Sequence, residues 1–289
     1  MLADDRPIIC FDIGGSCIKL GVFDPKNDQF LYANKIPRFI FSDSKIFENC
    51  LIKTCEPYYN DVSALAFACT GRIARDYKVD YHGPFKFVEK IDFLDISASV
   101  QCPAVALNDV SAAAYGELRS AKKGTRNNFL FVSIGTGIGA GIVIDGKLIG
   151  GEHGFAGEFG QNLICLPERR ECYKLEELCS GASIAADLGL EISELKIQKP
   201  ERLCNAAKDN FQFLAAAIQN VIYLLDVSTV VLGGGLTELL FPFYRQELEK
   251  RVMDLRGQKI KVKKARHGFK AGMVGIGYYA KDQLLTKEE

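Results

Sequence analysis

The sequence predicts an α/β protein with two sheets, and three observations carry that reading. Apolar runs of strand length alternate with stretches of helical spacing after an initial meander. One glycine-turn hairpin design occurs twice, 121 residues apart. The chain has 289 residues, 48% of them hydrophobic, which favours two domains over one core.

In chain order, residues 8–13 and 18–23 read as strands around Gly14-Gly15-Ser16, and a third strand follows at 29–36 after the turn cluster Asp24-Pro25-Lys26-Asn27-Asp28. Ile46, Phe47, Leu51 and Ile52 give 44–58 helical spacing. Residues 63–69 form a buried strand ended by Thr70-Gly71, and 72–92 look irregular. A strand at 104–107 runs into Asn108-Asp109, a cap for a helix over 110–120. Residues 129–134 and 138–144 repeat the opening hairpin around Gly135-Thr136-Gly137. A broad apolar helical face covers 202–226. A strand at 229–232 ends in Gly233-Gly234-Gly235, and helix, strand and helix follow at 238–254, 259–263 and 270–284.

Lys plus Arg and Asp plus Glu both number 36, so no nucleic-acid surface is expected. The first residues are acidic where a secretion signal would be basic, and no run of about 18 apolar residues suggests a membrane helix. Ten cysteines show no C-x-x-C spacing. Cys10, Cys17, Cys69 and Cys102 lie in or beside apolar runs, as small hydrophobes in a reducing, cytoplasmic compartment, and no disulfide framework is expected.

Strands ending in Gly-Gly-Ser and Gly-Thr-Gly expose backbone N–H groups that converge on anions, with Ser16 and Thr136 adding hydroxyls. Asp12, opening the first turn, either caps it or meets the phosphates through a divalent ion such as Mg²⁺. Neither turn is a Walker A loop, and Gly135 to Gly141 leads into a strand-like run, which argues against a dinucleotide fold. Gly234 and Gly235 suit a flat adenine and ribose, or simply turn the chain.

Six segments carry a resemblance. They are Phe11 to Phe23, Leu107 to Glu117, Ile134 to Lys147, Gly154 to Gly160, Leu175-Glu176 with Ser180-Gly181, and Val231 to Gly235. Together they resemble the ROK family (repressor, open reading frame, kinase). The resemblance implies an actin-like, hexokinase-like ATPase fold with two domains around a central cleft. Their expected bounds are 1–107 with 272–289, and 108–271. It implies Asp109 as catalytic base and Gly71, Asn108, Glu158, Gln161 and Glu176 as sugar ligands. Asp12, Gly14, Gly15, Ser16, Lys19, Gly135, Thr136, Gly137, Gly234 and Gly235 are implied for ATP and Mg²⁺. A carboxylate taking the proton of an attacking hydroxyl is worth roughly 10²–10⁴-fold. Phosphoryl transfer otherwise needs mainly positioning and charge neutralisation.

The chain departs from the family where a His usually follows the Gly-Glu-x-Gly segment, because that position is Gln161. The family's zinc-binding cysteine run is reduced to Cys165 and Cys172. With Cys179 and His153 four ligands exist in principle, but the spacing is not the family's, and zinc is not expected. The function implied is ATP-dependent phosphorylation of a hexose or N-acetylhexosamine, at C6. Thr70-Gly71, where many members have Pro-Gly, is similar to N-acetylmannosamine kinases. Glucokinase, fructokinase and β-glucoside kinase stay open. A sugar-responsive repressor is disfavoured because Asp12 leaves no room for a preceding DNA-binding module. A homodimer with no nucleic-acid or membrane partner is expected.

Overall fold

The computed structural model describes residues 5–14, 17–37, 43–58, 60–80, 86–121, 127–166 and 171–285. The strands are β1 (Ile8–Ile13), β2 (Cys17–Asp24), β3 (Gln29–Pro37), β4 (Ala64–Cys69), β5 (Arg72–Ile73), β6 (Val79–Asp80), β7 (Ala104–Asn108), β8 (Phe129–Ile134), β9 (Ile138–Ile144), β10 (Lys147–Leu148), β11 (Leu163–Leu166), β12 (Glu171–Lys174), β13 (Thr229–Gly233) and β14 (Lys261–Lys264). The α-helices are α1 (Ser44–Cys55), α2 (Phe93–Val100), α3 (Asp109–Arg119), α4 (Leu175–Cys179), α5 (Gly181–Asp187), α6 (Pro200–Lys208), α7 (Phe211–Leu225), α8 (Gly235–Arg251) and α9 (Ala271–Ala280). They fall into two compact units. No helix among the described residues is long and apolar enough to cross a membrane.

Unit one spans Met1–Ala121, Gly150–Ala156 and Lys270–Glu289. Its five-stranded sheet has the order β3-β2-β1-β4-β7. The meander β1-β2-β3 is antiparallel, and β1, β4 and β7 run parallel. Every residue of β1 and β4 is buried, as expected of strands covered on both faces. Alternation decides what covers each face. Leu65, Phe67 and Cys69 meet Phe47 and Leu51 of α1 and Phe93 and Ile96 of α2. Ala64, Ala66 and Ala68 meet Met273, Ile276 and Ala280 of α9. The alanine side is thin, so α9 lies close to the sheet and to α3. A Cβ at Gly275 would fall 1.6 Å from the Ala112 carbonyl oxygen.

Unit two spans Lys122–Ile149 and Gly157–Phe269. Its sheet repeats the design, with order β10-β9-β8-β13-β14, an antiparallel meander and parallel pairing of β8, β13 and β14. Leu130, Val132 and Ile134 pack with Phe211, Leu214, Ile218 and Ile222 of α7 and Leu240 and Tyr244 of α8.

Several boundaries differ from expectation. The helix over 202–226 breaks at Asp209-Asn210 into α6 and α7, at two residues of lower helix propensity than their neighbours. The first helix ends at Cys55 and tightens to a 3₁₀ turn over Glu56–Tyr58. The stretch read as irregular contains the small β5–β6 hairpin, and α2 follows it, capped by Asp92, whose carboxylate accepts from the Leu94 N–H at 2.9 Å. The expectation of free cysteines fails at one place. Cys165 and Cys172, facing each other across the β11–β12 hairpin, form a disulfide. Spacing alone hid it, because the hairpin's alternation is too short to read.

Candidate active site

In unit one the parallel strands β1, β4 and β7 end side by side, with Ile13 beside Cys69 and Cys69 beside Asn108. The carboxyl ends of parallel strands are where α/β proteins bind ligands. Three short segments converge here: Asp12 with Gly14, Thr70-Gly71, and Asn108-Asp109. Gly15 and Ser16 lie outside the described residues.

Asp12 is 4% exposed and has Lys19 as its cross-strand partner. Lys19 Nζ donates to Asp12 Oδ2 at 2.6 Å. Gly272, in the first turn of α9, adjoins the same carboxylate, and a Cβ there would lie 3.1 Å from Oδ2. The positive end of that helix therefore faces Asp12. Sequence reasoning missed Gly272; its signal is a glycine in the first turn of an apolar helix.

The sequence left the cap of α3 open between two residues, and the structure decides it. Asn108 is the cap: its Oδ1 accepts from the N–H groups of Val110 at 2.9 Å and Ser111 at 3.1 Å. Its Nδ2 donates to the Gly71 carbonyl at 2.9 Å, fixing the Thr70-Gly71 turn to the end of β7. Asp109 is the first helical residue, and its Oδ1 accepts from the Val110 N–H at 3.0 Å. Capping therefore does not account for Asp109. Burial, and then the negative charge of Asp12, push its carboxyl up to about 6, against the opposing pull of the Val110 N–H and of Lys19. The Cys69 thiol beneath is pushed well up by burial and by Asp109 and Asp12.

In unit two, β8 and β13 are parallel neighbours ending in glycine turns, with Gly233 beside Ser133. The carbonyls of Gly135 and Thr136 accept from the N–H groups of Gly181 at 2.8 Å and Ala182 at 3.1 Å. In trans peptides the N–H points opposite to the carbonyl, so the N–H groups of Thr136 and Gly137 point away from α5. Gly234 has φ +92°, and a Cβ there would lie 2.5 Å from the Ile134 oxygen. At Gly235, the first residue of the 17-residue α8, a Cβ would meet nothing within 4 Å. Outward N–H groups beside an open helix start fit a polyphosphate.

Glu176, on α4, lies against this turn. Its Oε2 would be 2.9 Å from a Cβ at Gly137 and 3.1 Å from one at Gly160. Gln161 Nε2 donates to Glu176 Oε1 at 2.8 Å. Phe159 is buried and anchors the 3₁₀ turn Phe159–Gln161, while Glu158 before it is exposed. Sequence reasoning missed Gly160 as the residue that gives Glu176 room. Thus unit one assembles Asp12, Lys19, Gly71, Asn108 and Asp109, and unit two assembles Gly135 to Gly137, Gly234, Gly235, Gln161 and Glu176.

The thiols considered for zinc are otherwise engaged. Cys165 and Cys172 are joined, and Cys179 is buried and donates to the Asn210 carbonyl at 3.2 Å.

A ROK family model matches residues 8–283. The chain belongs to the ROK family. N-acetylmannosamine kinase from Haemophilus influenzae is 30% identical over 204 residues, 65% of this chain and 66% of that protein. This ROK chain thus spans just under two thirds of that relative's length. A ROK family glucokinase from Streptomyces griseus, solved with glucose and AMPPNP, superposes with TM-score 0.78 at 23% identity, covering 96% of this chain and 99% of the other. A ROK family transcriptional regulator, a homolog of E. coli MLC protein, superposes with TM-score 0.77 at 22% identity, covering 97% and 80%. The actin-like, hexokinase-like fold implied by the sequence is therefore the fold of this ROK protein.

Proposed function

We propose that this ROK protein is an ATP-dependent sugar kinase acting on the C6 hydroxyl of a hexose or N-acetylhexosamine, with N-acetylmannosamine as the first candidate. The observation that carries the reading is Asp109. It is a carboxylate not needed as a cap, held near pH 6 at the carboxyl ends of parallel strands beside a second acid paired to lysine. A base with its pKa near the working pH combines availability with proton affinity.

In the proposed reaction Asp109 accepts the sugar hydroxyl proton as the new oxygen–phosphorus bond forms and the bond to the leaving diphosphate breaks. Asn108 has both acceptor positions on Val110 and Ser111 and one amide hydrogen on Gly71, so its other amide hydrogen remains for a sugar hydroxyl. Glu158, Gln161 and Glu176 are proposed to hold further hydroxyls. The Thr136 and Gly137 N–H groups would bind phosphate oxygens, with Gly234 and Gly235 against the nucleoside. Asp12 is the proposed carboxylate toward Mg²⁺ and Lys19 its charge balance; Gly14, with Gly15 and Ser16 of the same sequence motif, is proposed for phosphate binding. When bound, Mg²⁺-ATP supplies the phosphoryl group and a neutralised leaving group.

The preference for N-acetylmannosamine rests on the Haemophilus relative and on Thr70-Gly71. Glucose, fructose and β-glucosides are the competing substrates. The test is ADP release with Mg²⁺-ATP over a panel of N-acetylmannosamine, glucose, fructose, mannose and a β-glucoside. Turnover of at least one is expected; none above background would overturn the kinase reading. A non-catalytic, sugar-responsive regulator is the second reading, favoured by the regulator's similar fold. Sugar binding by calorimetry without ADP release would select it. A homodimer and a cytoplasmic setting belong to the same proposal. Leu224 and Leu255, 82% and 56% exposed, offer apolar surface to a second copy, and sedimentation would test it.

A further inference from the structure

The β11–β12 hairpin stands outside both five-stranded sheets. A lone two-stranded hairpin is marginal in water. This one buries little: Leu163 is 67% exposed, and Glu171, Cys172 and Lys174 are exposed. Among its described side chains, Ile164 and Tyr173 lean on the core. Its one covalent tie is the Cys165–Cys172 disulfide, whose two cysteines are both exposed.

The hairpin's open end leads into the sugar-ligand candidates. One leg begins just after Gln161, and the other runs into α4, where Glu176 is the second residue. Two hydrogen bonds close that end: the Leu175 N–H donates to the Asn162 carbonyl at 2.8 Å, and Gln161 Nε2 donates to Glu176 Oε1 at 2.8 Å. The disulfide, the strand ladder and the Gln161–Glu176 bond are therefore rungs of one ladder.

The other eight cysteines form no disulfide and are either buried or half-buried. Burial pushes the Cys55 and Cys179 thiols up to about 12, and those of Cys10 and Cys69 upward as well. These are poor nucleophiles. Of the ten cysteines, the two in the hairpin are the exposed ones.

We propose that the Cys165–Cys172 disulfide is a redox-operated clamp that fixes Glu176 for sugar binding, so that a dithiol reductant lowers sugar affinity by opening it. A dithiol attacks one sulfur as thiolate, forms a mixed disulfide, and is displaced by its own second thiol. Two electrons and two protons pass to Cys165 and Cys172, and the reductant leaves as a disulfide. In a reducing compartment a disulfide is usually transient, catalytic or sensing, and an exposed one is the labile kind. The inference rests on the reading of Glu176 as a sugar ligand.

The test compares the full chain oxidised, the full chain after dithiothreitol, the variant C165S/C172S, and C204S as a control away from the hairpin. Alkylation and intact mass give the disulfide fraction across ratios of reduced to oxidised dithiothreitol, with and without the sugar turned over in the panel. Reduction and C165S/C172S are each expected to raise sugar KM by about 5-fold or more, with kcat, the ATP KM and C204S little changed. By linkage, saturating sugar moves the disulfide midpoint toward more reducing conditions by the same factor as the affinity ratio. An unchanged sugar KM on reduction, or a midpoint indifferent to sugar, overturns the clamp. If no sugar is turned over, the kinase reading fails separately, and the clamp is read by hydrogen exchange. Reduction is then expected to lower protection of the Leu175–Cys179 amides by about tenfold, a local opening of the sort such exchange detects, and unchanged protection overturns it.

Discussion

Asp12 and Lys19 face each other across the β1–β2 hairpin, with Nζ 2.6 Å from Oδ2, and Asp109 feels both of them in opposite senses. Asp12 pushes the Asp109 carboxyl up, and Lys19 pulls it down. The acid limb of kcat/KM is therefore expected near pH 6, where Asp109 gains its proton and ceases to act as a base. Asp12→Asn moves that limb to lower pH; Lys19→Met moves it higher. The two shifts have opposite signs although both variants lose activity. Shifts of the same sign would show that Asp109 is not the titrating group. Lys19→Met also leaves the buried Asp12 carboxylate unpaired, at a cost of about 3 kcal/mol in urea unfolding.

Asp109→Asn is expected to lower kcat by roughly 10²-fold or more, because the proton acceptor is gone. Sugar affinity changes much less. Asn108 still caps α3, so the helix start is preserved. Stability should rise at neutral pH. The folded carboxyl titrates near 6 and the unfolded one at the ordinary 3.8, so the folded state binds the proton more tightly. Wild type accordingly loses stability as pH rises from about 4 to 6. The stabilising difference of the variant appears over that window and vanishes below it. Near-normal turnover in Asp109→Asn would move the base elsewhere.

Glu158→Gln is expected to raise the sugar KM with a smaller change in kcat, since the amide keeps the shape and loses a charged acceptor. Equal losses in kcat and kcat/KM would instead place Glu158 in the chemistry.

Gly234→Ala tests the glycine turn of unit two. The residue has φ +92°, and a Cβ would press on the Ile134 backbone. We expect a loss of about 2 kcal/mol in stability from strain and overpacking together. Nucleotide affinity falls as well, read by AMPPNP calorimetry, while sugar affinity is largely kept. An unchanged nucleotide Kd would remove this turn from the nucleotide site.

Much of this was legible in the chain. Residues 8–13 and 129–134 are apolar apart from Asp12 and Ser133, and strands covered on both faces have that signature. The glycine turns after them were visible because glycine has few other reasons to recur at one register. The cap of α3 was not decidable, since Asn108 and Asp109 both cap well and only the hydrogen bonds choose between them. The Cys165–Cys172 bond was not legible, because a four-residue strand has too little periodicity to show that the two cysteines face each other. Gly272 was passed over because its importance lies in Asp12, 260 positions away in the sequence.

The approach of α9 to α3, where Gly275 meets the Ala112 backbone, has a bearing on how the polypeptide matures. Ile8, Ala64 and Val105 share one buried cluster with Ile276 and Ala280, so the first strands cannot cover that face until the last helix has been synthesised. On the ribosome, unit one waits with an apolar sheet face uncovered while nearly all of unit two is made. Unit two has its own sheet and core within Lys122–Ile149 and Gly157–Phe269, and is complete earlier. The nascent chain thus carries an N-terminal sheet whose apolar face stays uncovered until Ala271–Ala280 emerges.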